Sequence, residues 1–269
     1  MSPSVKYVQT SAGKLAYRVT GTAAGVPLLM THRFRGTLDD WDPAFIDALA
    51  QQRMVVTFDS AGIGRSEGEV PTSIVGIADV AAEFAKAVGL GPVDLLGWSL
   101  GGLVAQQIAL NYPTLVRRLI VAGSSPGGIT DGPKQHPKVQ QVMGNPVNSE
   151  EDFLFLFFPE TDTARAAGRA YYARLQQIEG RGAPVTAQSF MNQIKAFSNW
   201  PGVRDRLGEL KIPVLVANGQ HDVMIPAYRS YVLAQEVANG KLVLYPDAGH
   251  AFLFQYADDF AAEVGSFLS

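Results

Sequence analysis

The sequence predicts an α/β fold, a mostly parallel sheet with helices on both faces and an inserted helical lid. Short apolar runs bounded by turn residues recur at 26–32, 54–59, 93–99, 117–124, 213–219 and 241–246, as strands buried on both faces do. Stretches with helical spacing separate most of them. Between 125 and 210 no strand-like run occurs and several helices fit.

Taken in order, KYVQT and KLAYRVTG flank Ser11-Ala12-Gly13 and read as an antiparallel hairpin on the sheet edge. The strand VPLLMTH precedes a helix marked by Ala44, Ile46, Ala48 and Leu49 after Trp41, and MVVTFD precedes one marked by Ile74, Ile77, Val80, Ala81, Phe84 and Val88. VDLLGWS runs straight into LGGLVAQQIALNY, a helical stretch closed by Pro113. After RRLIVAGS the lid begins with Pro126, Gly127, Gly128, Gly132, Pro133 and Pro137. PVLVANG and KLVLYP resume the sheet before a closing helix. The core domain is therefore expected at 1–124 and 211–269, and the lid at 125–210. An aromatic-apolar patch runs from Phe153 to Phe158; it is expected mainly to bury the lid, with Phe153 and Phe157 left to meet substrate.

With 269 residues, 47 % hydrophobic and 17 % charged, the chain has an ordinary globular composition, which excludes disorder and fibre. Twenty-two basic against 25 acidic side chains, with no long run of either sign, argue against a nucleic-acid partner. Cysteine is absent, which excludes disulfides, a thiolate nucleophile and thiolate metal ligands and favours a cytoplasmic enzyme. No metal or other cofactor is expected. MSPSVKYVQTSAGK has no apolar signal core, and no apolar stretch approaches the ~18 residues of a membrane span, so a soluble protein with no membrane partner is expected.

Three copies of G-x-S-x-G centre on Ser66, Ser99 and Ser125. A nucleophile elbow requires a buried strand, a sharp turn and then a helix whose first N–H groups face the reacting carbonyl. Ser99 alone has this context. Ser66 precedes EGEVPTS, which is not helical, and Ser125 precedes Pro126, which has no N–H to offer.

A serine needs a base, and four histidines are available. His136 lies in a Lys/Pro-rich loop, and His32 and His221 close strands as structural groups can. His250 follows the last strand, at the carboxyl edge where such sheets place their sites. The acid that orients it is assigned to Asp222, just past the strand ending at Gly219; Asp247, three residues before His250, suits local loop capping better.

These residues resemble the α/β-hydrolase superfamily over nearly the whole chain. The resemblance rests on Gly97-Trp98-Ser99-Leu100-Gly101-Gly102, on Asp59-Ser60-Ala61-Gly62-Ile63-Gly64-Arg65-Ser66, on Gly219-Gln220-His221-Asp222 and on Gly249-His250. It is closest to lidded esterases, lactonases and cofactor-free peroxidase-like members. It implies that Ser66 belongs to a structural turn and that Gly123-Ser124-Ser125 leads from the sheet into the lid. It further implies an oxyanion hole from the backbone N–H groups of Leu100 and Phe34. Where the family has His-Gly before a bulky residue, this chain reads His32-Arg33-Phe34.

Arg33 then has two readings: a guanidinium at the pocket mouth that holds a carboxylate or polarised oxygen, or an outward side chain meeting Asp39 or Asp40, the commoner arrangement. The function implied is hydrolysis of a carboxylic ester or lactone of a small to medium apolar substrate through an acyl-enzyme on Ser99, with Trp98, Arg33, Phe153 and Phe157 contacting this small molecule. A perhydrolase or haloperoxidase, a proton-abstracting enzyme and a non-catalytic ligand receptor are the alternatives on the same fold.

Overall fold

Successive side chains of a strand point to opposite faces of its sheet, and here both faces are covered. A computed structural model of the chain describes residues 3–22 and 25–269; the first two residues of the expected core domain, and Ala23 and Ala24, lie outside the described residues. The strands are β1 (Lys6–Thr10), β2 (Gly13–Thr20), β3 (Leu28–Thr31), β4 (Val55–Phe58), β5 (Val93–Trp98), β6 (Val116–Ala122), β7 (Val214–Gly219) and β8 (Gly240–Tyr245). They form one sheet in the order β1-β2-β4-β3-β5-β6-β7-β8. The β1–β2 and β2–β4 pairings are antiparallel and the rest parallel. The edge hairpin and all six strand runs expected from the sequence are thus present.

Leu29, Val56, Leu95, Val121 and Val216 face one layer, built by α2 (Ile74–Ala87), α3 (Leu100–Asn111) and α8 (Ala227–Glu236). Their strand neighbours Leu28, Val55, Leu96, Ile120 and Leu215 face the other, which holds α1 (Pro43–Ala50), α9 (Phe252–Gln255) and α10 (Ala257–Phe267). In α2 the buried stripe is the expected one: Ile74, Ile77, Val80, Ala81 and Phe84. In α1 it differs, because Phe45 and Leu49 are buried while Ala44 is exposed. The larger pair, four residues apart, claims the core, with Phe45 stacked on Phe260 at 5.7 Å.

Between β6 and β7 lie α4 (Lys138–Met143), α5 (Glu150–Phe157), α6 (Asp162–Gln176) and α7 (Ala187–Ser198), with no strand. Their starts follow from capping chemistry. Ser149 and Asp152 form a reciprocal capping box on α5, and Thr161 and Thr186 cap α6 and α7. Leu154 and Phe157 of α5 and Tyr171 of α6 pack into the α1 side of the core, whereas Ala196 of α7 packs on the α2 side. The inserted segment therefore spans the carboxyl end of the sheet. No helix among the described residues is long and apolar enough to cross a membrane.

The strand order decides which loops meet. β3 lies between β4 and β5, so the chain turns back at β3 and the loops after β3 and β5 emerge side by side, at a topological switch point. β7 and β8 are neighbours, which brings together the loops that follow them.

Candidate active site

Ser99 sits between β5 and α3 with φ 59° and ψ −120°, a backbone region costing about 1–3 kcal/mol for a residue with a side chain. It occupies the N-cap position of α3 yet caps no N–H. Its hydroxyl is therefore left for another partner. The flanking glycines permit the bend: a Cβ on Gly97 would overlap Gly101 O, and one on Gly101 would overlap Thr31 O. Ser99 N–H donates to Ala122 O at 2.9 Å, and Ser124 Oγ donates to Ser99 O at 2.8 Å.

The other two serines have structural partners. Ser66 Oγ accepts from Ala16 N at 2.9 Å and donates to Asp59 O at 2.6 Å. Ser125 Oγ accepts from Gly127 N at 3.1 Å.

Asp222 and His250 emerge from the neighbouring ends of β7 and β8, both buried, with Nδ1 of His250 2.7 Å from Oδ2 of Asp222. The other carboxylate oxygen accepts from the N–H groups of Met224 and Ile225 at 2.8 and 2.9 Å, which locks the carboxylate plane. A carboxylate can only accept, so this contact puts the proton on Nδ1 and leaves a lone pair on Nε2. Among the described residues Nε2 has no hydrogen-bond partner, and His250 and Ser99 line the same cavity. Asp247 lies elsewhere, with its carboxylate accepting from Thr161 Oγ1 at 2.7 Å. His136 and His221 are exposed. His32 stacks on Trp41 at 4.0 Å, and its Nδ1 accepts from Arg33 N at 2.8 Å. Burial first, and the Arg33 charge second, push His32 well below its ordinary pKa, so it is neutral.

The loop after β3 lies against the elbow. Arg33 N–H is taken by His32, Arg35 N–H by Gln193 Oε1 at 3.0 Å, and Gly36 N–H by Arg33 O at 3.0 Å. Among the described residues the N–H groups of Phe34 and Leu100 have no acceptor. Phe34 lines the cavity that Ser99 lines, Leu100 lines a small separate one and directly follows Ser99, and free N–H groups on both sides of Ser99 suit a developing oxyanion. The left-handed residue of this loop is Arg35, at φ 58°, so Arg33 takes the family glycine's place without that strain.

The cavity has a volume near 520 Å³. Phe153 and Phe157 line it, together with Met143 and Leu156 from the inserted segment. Its opposite wall is charged, which the expectation of an apolar pocket did not anticipate: Arg33, Arg35 and Arg181 face it with Asp40. Arg33 points inward, correcting the outward reading, although it also lies 3.8 Å from Asp40 as that reading required. Its guanidinium sits 5.3 Å from the Phe157 ring centroid and 5.8 Å from that of Trp98.

Trp98 requires a correction. As the last residue of β5 it packs on the α1 face of the sheet beneath Phe157 and His250, is fully buried, and lines no part of the cavity. Its indole N–H donates to His250 O at 2.9 Å, which makes it a support for the histidine loop and not a substrate contact.

Arg181 escaped the sequence reading, and Asp40 entered it only as a partner for an outward Arg33. Asp40 closes a capping box with Thr37, a spacing visible in the sequence, and pairs with Arg181 at 2.8 Å. Burial opposes its charge, but Arg33, the Thr37 N–H and Arg181 together hold the carboxyl below its usual range. Arg181 lies in a loop with no local signal.

With this geometry in view, the sequence matches the family described as alpha/beta hydrolase fold over residues 26–256. It is 30 % identical over 258 residues to a pimeloyl-[acyl-carrier protein] methyl ester esterase of Pectobacterium atrosepticum, covering 93 % of this chain and 97 % of that protein. It is 28 % identical over 243 residues to a poly(3-hydroxyalkanoate) depolymerase of Ectopseudomonas oleovorans, covering 90 % of this chain and 84 % of that one. An alpha/beta hydrolase fold protein from Chitinophaga pinensis superposes with a TM-score of 0.89 at 30 % identity, covering 100 % of this chain and 98 % of that one.

Proposed function

The chain belongs to the alpha/beta hydrolase fold family and is a hydrolase, and from that premise we propose that it cleaves a carboxylic ester or lactone through an acyl-enzyme on Ser99. One observation carries the reading. Asp222 holds Nδ1 of His250 at 2.7 Å while Nε2, unpartnered, belongs to the cavity that Ser99 also lines. A histidine so oriented is a base toward the cavity, and a serine kept from capping its own helix is the group it would deprotonate.

In this mechanism Ser99 Oγ bonds to the carbonyl carbon as its proton passes to Nε2 of His250. Asp222 stabilises the imidazolium that results. The N–H groups of Leu100 and Phe34 receive the oxyanion. Collapse breaks the bond to the leaving oxygen, which takes the proton from His250, and an alcohol departs; with a lactone, the hydroxyl stays on the acyl chain. Water then attacks the acyl-enzyme, again giving its proton to His250, and the acid leaves as Ser99 regains its proton. No cofactor takes part.

Residues 125–210 serve as the lid over the core domain at 1–124 and 211–269, with Phe153 and Phe157 against the apolar part of a small to medium substrate. The cysteine-free composition supports a cytoplasmic enzyme. The test is labelling with a fluorophosphonate followed by a p-nitrophenyl ester series. Label at Ser99 and turnover rising with acyl length until the cavity fills are expected; an unlabelled Ser99 in an active enzyme would overturn the acyl-enzyme.

A further inference from the structure

We infer that Arg33 is the residue by which this enzyme selects its substrate, and that the substrate carries a carboxylate close to the bond it cleaves. The inference rests on the ester or lactone reading above and narrows its substrate class.

The argument starts from which guanidinium nitrogens are already engaged. Arg35 gives Nη1 to Asn145 O at 2.9 Å and Nη2 to Pro146 O at 2.7 Å, so it ties down the 145–148 loop. Arg181 gives Nη1 to Asp39 O and Leu175 O at 3.0 and 3.1 Å and Nη2 to Asp40 at 2.8 Å. Arg33 engages only Nη1, which donates to Phe34 O at 2.8 Å. Among the described residues its Nε has no hydrogen-bond partner, and its Nη2 makes no hydrogen bond and reaches only Asp40 at 3.8 Å. Nε and Nη2 form one edge of the guanidinium, the fork that matches the two oxygens of a carboxylate.

Asp40 does not fill that fork. It lies 3.8 Å from Nη2, and it is already satisfied by Thr37 N and Oγ1 at 2.8 and 2.9 Å and by Arg181. The guanidinium is nonetheless held: Phe34 O fixes one nitrogen, and the rings of Phe157 and Trp98 flank it. A group oriented in this way, with an unused edge on a largely buried side chain, is prearranged for an anion, since leaving such donors unpaired is unfavourable. The cavity around it carries three arginines and one carboxylate, which adds attraction for a negative ligand. Arg33 also lines the cavity that Phe34 and Ser99 line, with Nη1 held on Phe34 O at 2.8 Å, so a carboxylate bound to it sits close to the reacting carbonyl.

The test compares esters that differ by one charge: mono-p-nitrophenyl glutarate against p-nitrophenyl butyrate for a carboxylate on the acyl side, and 4-carboxyphenyl butyrate against phenyl butyrate for one on the leaving side. In at least one pair the anionic ester is expected to have the higher kcat/KM. Arg33→Gln should lower that anionic-to-neutral ratio about 10- to 100-fold, mainly through KM, and Arg33→Lys should recover part of it as a charge without a fork. A ratio that Arg33→Gln leaves unchanged in both pairs would overturn the inference. Two measurements stand apart from these variants and from turnover. Glutarate should inhibit neutral-ester hydrolysis by the wild-type enzyme at a concentration at least tenfold below that of glutaramide, and equal inhibition would count against the fork. Calorimetry on Ser99→Ala should show glutarate binding that Arg33→Gln weakens about tenfold. Failure of fluorophosphonate labelling would remove the acyl-enzyme reading while this binding measurement still judged Arg33.

Discussion

The elbow after β5 and the helical segment between β6 and β7 form facing walls of one cavity, yet different forces hold them. At the elbow the constraint is backbone against backbone. Gly97 pairs with Val121 and Thr31 in the sheet, and neither Gly97 nor Gly101 has room for a Cβ. The inserted segment is held by side chains: Leu154, Phe157 and Tyr171 in the core, Arg174 on Asp42 at 2.9 and 2.6 Å, and Arg181 on Asp40. A wall made of backbone tolerates no local adjustment, whereas a wall made of side chains can be altered one contact at a time. Chemistry suits the first, while the second shapes the apolar part of the cavity that faces Arg33.

The sharpest way to break this contrast is at Ser99. Ser99→Ala is expected to abolish fluorophosphonate labelling and to lower kcat by about 10⁴- to 10⁶-fold, since the members of such a constellation act as a unit. Ser66→Ala and Ser125→Ala should still label; loss of label in either would mean that the elbow is not the reactive turn. Next in size, Asp222→Asn should lower kcat by about 10⁴-fold and Asp247→Asn by less than about tenfold, read from steady-state kinetics. The reverse ranking would move the acid to Asp247.

Gly101→Ala probes the backbone wall without touching a reacting group. Overlap with Thr31 O should lower unfolding free energy by about 3 kcal/mol in urea titration and displace the β3 loop. A neutral outcome would show that the elbow has slack.

Two buried acids of the core should respond to pH in opposite senses, Asp40 being the one tied to the inserted segment. Asp59 lies in the core turn beneath the site, where burial pushes its carboxyl up to about 6 despite N–H donors from Arg65 and Leu38. Its unfolded value is near 3.9, so folding takes up a proton between about pH 4 and 6 and Asp59's contribution falls as pH rises through that window, by at most about 3 kcal/mol. Asp40, held below its usual range, contributes stability above about pH 4 that is lost as pH falls further. Denaturant unfolding of Asp59→Asn should show a flatter dependence between pH 4 and 6 than the wild type, and an unchanged slope would contradict the raised value. The smallest effect is expected on the inserted side. Arg174→Met should cost about 2 kcal/mol, because Asp42 is fully buried and loses a bidentate partner, although that partner is partly exposed and Asp42 keeps its bond to Ala44 N at 3.0 Å. A loss of several kcal/mol would mean that this single tie holds the segment.

Much of this molecule is legible in its sequence, for identifiable reasons. The strands show as apolar runs because both faces of the sheet are buried, and Ser99 is separable from Ser66 and Ser125 because only its neighbours continue as a helix. Asp222 and His250 stand out because each directly follows a strand, and β7 and β8 pair side by side. The α1 face is not legible from spacing because a helix of eight residues has too few turns for periodicity to outweigh the larger Phe45.

What the sequence alone determined is therefore what depends on neighbours along the chain: strand and helix, the sharp turn at Ser99, the loops that end in Asp222 and His250. Only the tertiary structure decided that Trp98 supports the His250 loop from beneath, that Arg33 turns into the cavity with one edge unused, and that Asp40 is claimed by Arg181, 141 residues away in sequence. Local pattern reports backbone preference and burial within a few residues, but the direction of a long charged side chain is set by whichever distant partners have already taken its hydrogen bonds.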